Sequence, residues 1–410
     1  MSQKLAPSIR ISFPLLALIL QCTIIVLFIF FADYSKDSPR KYTATYPVLQ
    51  DVNTMVFVGF GFLATFLKRY GRSGIAFTLL LAAFALQWAT ILEGLLFDFE
   101  DSKIRISLSS IIHADFSAVS ALVSMGAVLG NTSPVQLLLM TIVEVTCFTV
   151  NKWLLKFLLE VDRKTSGMYL HLFGAVFGLI VSQVLHRPGL QNGHEKEGSF
   201  QISDLFSMIG TIFLWMFWPS FNAALLDTDQ DKAVFNTYYA LAASTVAAFA
   251  ISSHIHKEGK IDMSHIRSAT LAGGVAVGLS APLIPSAYIA MIIGLITGVL
   301  CTLGFKYLKA MFQLYLGVHD TCGVLYTHAL PGVIGGIVYI ILLSISDDLQ
   351  RKMLHTEYWQ TAMFITMAMS ILTGLITGFI LKLNIWKQPP DLKCYDDQAY
   401  WQFPHLATII

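Results

Sequence analysis

"HDTCGVLYTHALPGVIGGI" (residues 319–337) sets two histidines, a carboxylate and a cysteine in a glycine-rich apolar run. An α-helix turns once in about 3.6 residues, so in a helix the spacing of His319 and His328 would put them on opposite faces. They could not then share a ligand, and at least one needs a partner from elsewhere in the chain. His171 is the natural candidate. It heads "HLFGAVFGL" (171–179) as His328 heads "HALPGVIGG" (328–336), and each is followed at the same interval by a glycine, Gly178 and Gly335. "GAVLG" (126–130) and "GGVAVG" (273–278) precede them at a similar offset. Internal similarity of this kind suggests a repeat fold with its site between the halves.

Of 410 residues, 55% are hydrophobic and only 13% charged, and mean hydropathy is +0.64. Soluble domains carry about a quarter charged residues, so this composition predicts an all-α polytopic membrane protein with the lipid bilayer as its first partner. A net charge of +1 offers nothing to nucleic acid. The five cysteines lack CxxC spacing, so neither a disulfide framework nor a zinc site is expected, and no cofactor is implied.

Apolar runs long enough to cross a bilayer fall at about 11–32, 51–69, 74–93, 104–128, 135–156, 167–186, 204–225, 233–254, 267–281, 286–305, 323–345 and 358–382. This predicts about twelve transmembrane helices in a single domain covering 1–410. Its parts are an extra N-terminal helix (11–32), a first repeat (51–186), a second repeat (204–345), a last helix (358–382) and a tail (383–410). The first run follows Lys4 and Arg10 and is longer than a signal-peptide core, so it reads as an uncleaved span. Basic connectors "KRYGR" (68–72), "HIHKEGKID" (254–262) and "FKYLKA" (305–310) alternate with acidic "DFED" (98–101), "DTDQD" (227–231) and "SDD" (346–348). An even span count with this Lys/Arg bias places both termini, and the tail, in the cytoplasm.

Ionisable groups inside spans are costly and mark function or paired structure; here they are His113, Asp115, Glu144, His171, His319, Asp320 and His328. His328 read alone is equally a core histidine bonded to backbone carbonyls. Paired with His171 in an apolar pore, one ring could donate N–H to the other, leaving an edge of each for a permeant. That suits a small molecule that both donates and accepts hydrogen bonds, while passage of a bare cation is expensive; ammonia fits. Asp115 and Glu144 are expected at helix ends or bonded across helices, and Asp320 in the first turn of a helix, at the positive end of its dipole. His319 with Cys322 would be the enzyme reading, but no orienting group or oxyanion hole accompanies the pair, so the chain is read as no enzyme.

Six stretches carry a resemblance to a known family: "VFVGFGFLATFLKRYG" (56–71), "HADFSAVSALVSMGAVLGNTSPVQLLLMT" (113–141), "FLWMFWPSFNAALL" (213–226), "FNTYYALA" (235–242), "SATLAGGVAVG" (268–278) and the opening stretch. They resemble the Rhesus (Rh) glycoprotein branch of the ammonium transporter family nearly end to end. "FNTYYALA", "LNIWK" (383–387) and "YDDQAYWQFPHLA" (395–407) are most similar to the erythroid Rhesus blood-group polypeptides. The resemblance implies the ammonium-transporter fold, with an inverted repeat, in a trimer whose protomers each hold a hydrophobic pore. It implies twin pore histidines at His171 and His328, stacked pore phenylalanines at Phe116 and Phe221, and vestibule or structural positions at Asp162, Asp115, Trp215, Asn222, His319 and Asp320. The family's structural aspartate falls at Arg163 here, with Asp162 one step earlier. The implied function is a plasma-membrane channel for ammonia or ammonium, with carbon dioxide or methylammonium as further permeants. The blood-group-like ends imply an alternative, a non-transporting structural subunit in a heterotrimer with an Rh-associated glycoprotein, tethered to the membrane skeleton. Mammalian blood-group polypeptides lack the first pore histidine, which this chain retains.

Overall fold

The computed structural model describes residues 9–35, 38–190, 193–345 and 349–403. Lys4, the acidic "SDD" and the tail beyond 403 lie outside the described residues. The bundle is built of α1 (Ser12–Phe31), α2 (Pro39–Asn53), α3 (Phe60–Leu63), α4 (Gly71–Phe97), α5 (Leu108–Ala127), α6 (Pro134–Leu159), α7 (Arg163–Gly167), α8 (Leu170–Val184), α9 (Gln201–Ala223), α10 (Gln230–Ile255), α11 (Met263–Gly278), α12 (Ala287–Leu316), α13 (Leu330–Ile345) and α14 (Leu349–Leu381). Ten helical segments among the described residues are long and apolar enough to cross a membrane. Two more rods complete the bundle: α11, with 16 residues, and α2 joined to α3 through a π-helical turn, Thr54–Gly59.

The second rod starts at Pro39, well before the run that hydropathy marks. Its first half, "PRKYTATYPVLQDVN", is too polar to register as a span, yet the local signals are helical. Ser38 caps it, accepting from the Lys41 N–H at 3.3 Å, and Pro39 occupies the first turn, where a missing N–H costs nothing. The helices also close a small sheet at one end of the bundle, beyond the all-α expectation. Strands β1 (Ala32–Tyr34), β2 (Phe99–Glu100) and β3 (Lys103–Ile106) order as β1-β3-β2. The β2–β3 hairpin turns on Asp101 and Ser102, both at positive φ (49° and 60°), which matches the right-handed strand twist.

Close helix contacts link the two similar segments in the same way. A Cβ on Gly178 of α8 would lie 2.6 Å from Ser124 Cα of α5, and one on Gly335 of α13 would lie 2.5 Å from the Ala276 carbonyl oxygen of α11. Each glycine that follows a histidine by two turns therefore lets its helix press against the helix carrying the "GAVLG" or "GGVAVG" motif. Apolar side chains of α1, α9, α12 and α14 cover the outside, among them Leu18, Ile212, Leu295 and Phe379.

The stretch after Leu381 packs across the connectors at one end of the bundle. Its Asp397 carboxylate accepts from the Arg72 and Ser73 N–H groups (3.0 and 2.8 Å) and so caps α4. The Tyr395 N–H donates to the Gly130 carbonyl at 2.8 Å, and the Arg187 guanidinium donates to the carbonyls of Pro389 (2.6 Å) and Asn131 (2.8 Å). This end of the bundle is called the C-terminal side below.

Candidate functional site

A column of aromatic rings runs through the middle of the bundle. Phe116 of α5 stacks on Phe221 of α9, with centroids 4.1 Å apart and planes inclined by 10°. Phe221 meets His171 at 6.2 Å; His171 meets His328 at 5.1 Å; His328 meets Phe60 at 6.3 Å. Trp218 flanks the histidines, its ring 5.4 Å from His171 and 6.4 Å from His328. All six rings are buried. The structure therefore brings together Phe116, Phe221, His171 and His328, and adds Phe60 and Trp218, which the sequence reading did not single out.

Local backbone chemistry sets the two ends of this column. His328 sits in a π-helical turn, Leu325–Ala329. Pro331 follows it, and having no N–H it cannot donate to the turn before it. The second π turn, Thr54–Gly59, directly precedes Phe60. Single π turns re-aim a side chain relative to a regular helix and are frequent at functional sites; here each one adjoins a ring of the column.

The histidines do not bond to one another. Their rings lie near parallel, inclined by 19°, and neither nitrogen of His171 nor Nδ1 of His328 has a hydrogen-bond partner in the protein among the described residues. The ring-to-ring N–H bond expected from the sequence is replaced by a stacked pair with these nitrogens unbonded within the protein. Beyond them, on the C-terminal side, lies a small cavity of about 40 Å³ lined by His328, Phe60, Leu122, Phe66, Arg267 and Cys322, among others.

The remaining expected positions fall elsewhere. Asp162 caps α7, accepting from the Lys164 N–H at 3.0 Å. Asn222 Nδ2 donates to Thr237 Oγ1 and to the Gly274 carbonyl, both at 3.0 Å, tying α9 to α10 and α11. Trp215 donates to Thr245 at 3.0 Å on the flank of the bundle, while Trp218, one turn on, faces the histidines. Asp115 is buried beside Phe116 with neither oxygen bonded within the described residues. Glu144 accepts from Ser120 (3.0 Å) and Ser124, so it ties α6 to α5 in mid-helix rather than at a terminus. His113 lines a polar cavity with Asp98, Arg105 and Arg163 at the other end of the bundle.

His319 is not helical, so its spacing to His328 carries no facing information. It lies at the C-terminal side, where Nε2 is 2.9 Å from both the Tyr395 hydroxyl and Glu197 Oε1, and Nδ1 is 3.1 Å from Gln313. Asp320 accepts from the N–H groups of Gly323, Val324 and Leu325 (2.8, 2.9 and 2.9 Å) and heads the His328 rod. Burial opposes the charge on Glu197, but the His319 bond and charge hold its carboxyl below the usual range.

Arg163, one step after the Asp162 cap, is held in an ion cluster. Its Nε is 3.1 Å from Glu93 Oε2 and its Nη1 is 2.6 Å from Asp98 Oδ2. Glu93 also pairs with Lys152 and accepts from Ser117 at 3.1 Å. Glu93 and Lys152 are each only 1% exposed, and the sequence reading passed over both.

These features define a class: a polytopic helical membrane protein with a column of buried rings through its bundle and a histidine pair within that column. The chain belongs to the Ammonium Transporter Family, whose model matches residues 17–400. It is 47% identical to ammonium transporter Rh type A of Bos taurus, with 96% of each chain covered. It is 42% identical to ammonium transporter Rh type B of Xenopus tropicalis, covering 97% of this chain and 94% of that one. Among solved structures it is similar to Nitrosomonas europaea Rh50, of the Rhesus protein family of channels, at 30% identity and a TM-score of 0.79, covering 90% of this chain and 96% of that one. Saccharomyces cerevisiae Mep2 shares the fold at 15% identity (TM-score 0.69, 89% of each chain).

Proposed function

We propose that the chain conducts ammonia across a membrane through the ring column of each protomer. The single observation that carries this reading is the stacked His171–His328 pair, buried and with both His171 nitrogens and His328 Nδ1 unsatisfied by the protein. A buried polar group left unbonded is costly, so such edges favour a guest that both donates and accepts. Ammonia does both, and it is neutral. A bare monovalent cation crossing the same apolar lumen faces a desolvation cost on the order of tens of kcal/mol in the continuum limit, which the aromatic faces offset only in part. Ammonium therefore arrives as a cation, gives up its proton to bulk water at the mouth, and crosses as ammonia.

The relatives' names place ammonium among their permeants, and this reading extends that to the present chain. Methylammonium and carbon dioxide are the further permeants to test, and a trimer in the plasma membrane with both termini cytoplasmic is the proposed assembly. Vesicles carrying the purified chain and an internal pH dye provide the test. An inward ammonia gradient should alkalinise them faster than protein-free vesicles. Equal rates, with obligate assembly on a second Rh chain, would favour the structural-subunit reading instead.

A further inference from the structure

The lumen on the C-terminal side of the histidines contains a fixed positive charge. Arg267, in the second turn of α11, lines the same cavity as His328. The residue is 4% exposed, and its guanidinium lies 4.0 Å from the Phe66 ring centre, another cavity wall. Its ion-pair partner is Asp204 on α9, with Oδ1 3.5 Å from Nη1. Nη1 and Asp204 Oδ1 are both buried without a hydrogen-bond partner among the described residues. Asp204 Oδ2 is engaged from the other side, accepting from Ser199 Oγ at 3.0 Å. A guanidinium has five N–H donors and is always protonated. It is therefore a cation on the cavity wall whose ion pair with Asp204 lies to one side and leaves Nη1 without a hydrogen bond.

We propose that Arg267 is a second selectivity element, acting in series with the histidine pair: its charge closes the C-terminal half of the lumen to cations and leaves it open to neutral guests. A buried arginine at a narrow apolar passage raises an electrostatic barrier to cations. The same charge makes the cavity a site for a small planar carboxylate, which matches the guanidinium fork. The inference rests on ammonia conduction as the function, and its experiment separates the two.

Charge movement and ammonia flux are measured on the same vesicles for wild type, His328→Ala, Arg267→Gln and the double variant, and size-exclusion chromatography reports whether each variant is folded. With two filters in series, His328→Ala alone moves no more charge per ammonia than wild type, whereas the double variant moves about tenfold more or greater. Arg267→Lys in the His328→Ala background keeps the point charge and stays silent. His328→Ala already carrying the full current of the double variant would overturn the proposal. Equilibrium dialysis with radiolabelled formate reads Arg267 without any transport: wild type retains formate and Arg267→Gln does not. If wild type passes no ammonia yet binds formate through Arg267, the channel reading fails while the charged cavity stands. Formate retention that is unaffected by Arg267→Gln overturns the cavity's role.

Discussion

The Glu93 cluster offers a test in which the signs of three substitutions follow from counting charges. Glu93 lies between Lys152 and Arg163, with Glu93 and Lys152 each 1% exposed and Arg163 13% exposed. Glu93→Gln leaves two cations near one another with a single carboxylate, Asp98, which is 43% exposed and reaches only Arg163. Breaking a buried pair in that sense costs about 3–5 kcal/mol. Lys152→Met is milder, because Glu93 keeps the Arg163 bond at 3.1 Å and the Ser117 hydroxyl at 3.1 Å, and the methionine packs by Phe148 where the ammonium lay 4.9 Å from the ring. Losing that one charged partner costs about 1–3 kcal/mol. Once Lys152 is gone, Glu93→Gln strands only Arg163, which retains Asp98. The double variant should therefore fall short of the sum of the singles by about 2 kcal/mol. The readout is the temperature at which purified protein loses its folded peak in size-exclusion chromatography. The expected order of stability is wild type, Lys152→Met, the double variant, then Glu93→Gln at or below it. Additive losses, or a Glu93→Gln no worse than Lys152→Met, would refute the charge argument. The cluster matters to the pore because α7, which carries Arg163, leads directly into His171 on α8.

Gly335→Ala should cost about 1–3 kcal/mol, since its Cβ would meet the Ala276 carbonyl oxygen at 2.5 Å and backbone cannot swing aside. Gly198→Ala, whose nearest neighbour is the flexible Lys68 Nζ at 3.8 Å, should stay within about 0.5 kcal/mol in the same thermal assay. Tyr395→Phe deletes the 2.9 Å contact to His319, worth about 1 kcal/mol, and should speed amide exchange in residues 384–403, as followed by mass spectrometry. Glu197 has a folded-state pKa below its unfolded value; its stabilisation is therefore present above about pH 4.3 and lost as pH falls through the lower folded value. Glu197→Gln should accordingly lower thermal stability at pH 7 and lose that effect under acid conditions. An equal deficit at both pH values would contradict the assignment.

What the sequence disclosed depended on whether a residue's partner was signalled by pattern. His171 and His328 head similar segments, so their pairing was readable, but their stacking was not, because ring orientation follows from the π turn at Leu325–Ala329 and not from composition. Phe116 and Phe221 came from resemblance alone; nothing local separates them from the chain's 27 other phenylalanines of 29. Glu93 and Arg267 fall on the last and first residues of their apolar windows and Lys152 in the last turn or so of its own, where a charge reads as a span edge. The helices around Glu93 and Lys152 run on to Phe97 and Leu159, and α11 starts at Met263, so residues counted as span edges lie inside the bundle. A helical period would have separated Trp215 from Trp218 only if the facing side of α9 were known. The packed stretch 384–403 was read as a tail, since its partners at Arg72, Gly130 and Arg187 lie far away in sequence and leave no periodic trace.

The central claim is that ammonia passes the His171–His328 pair. Stopped-flow alkalinisation of vesicles carrying wild type, His171→Phe or His328→Phe tests it most directly, because phenylalanine keeps a ring in the column and removes the polar edges. The account predicts that each variant, folded by chromatography, loses flux by about tenfold or more. Flux in both variants equal to wild type would contradict it.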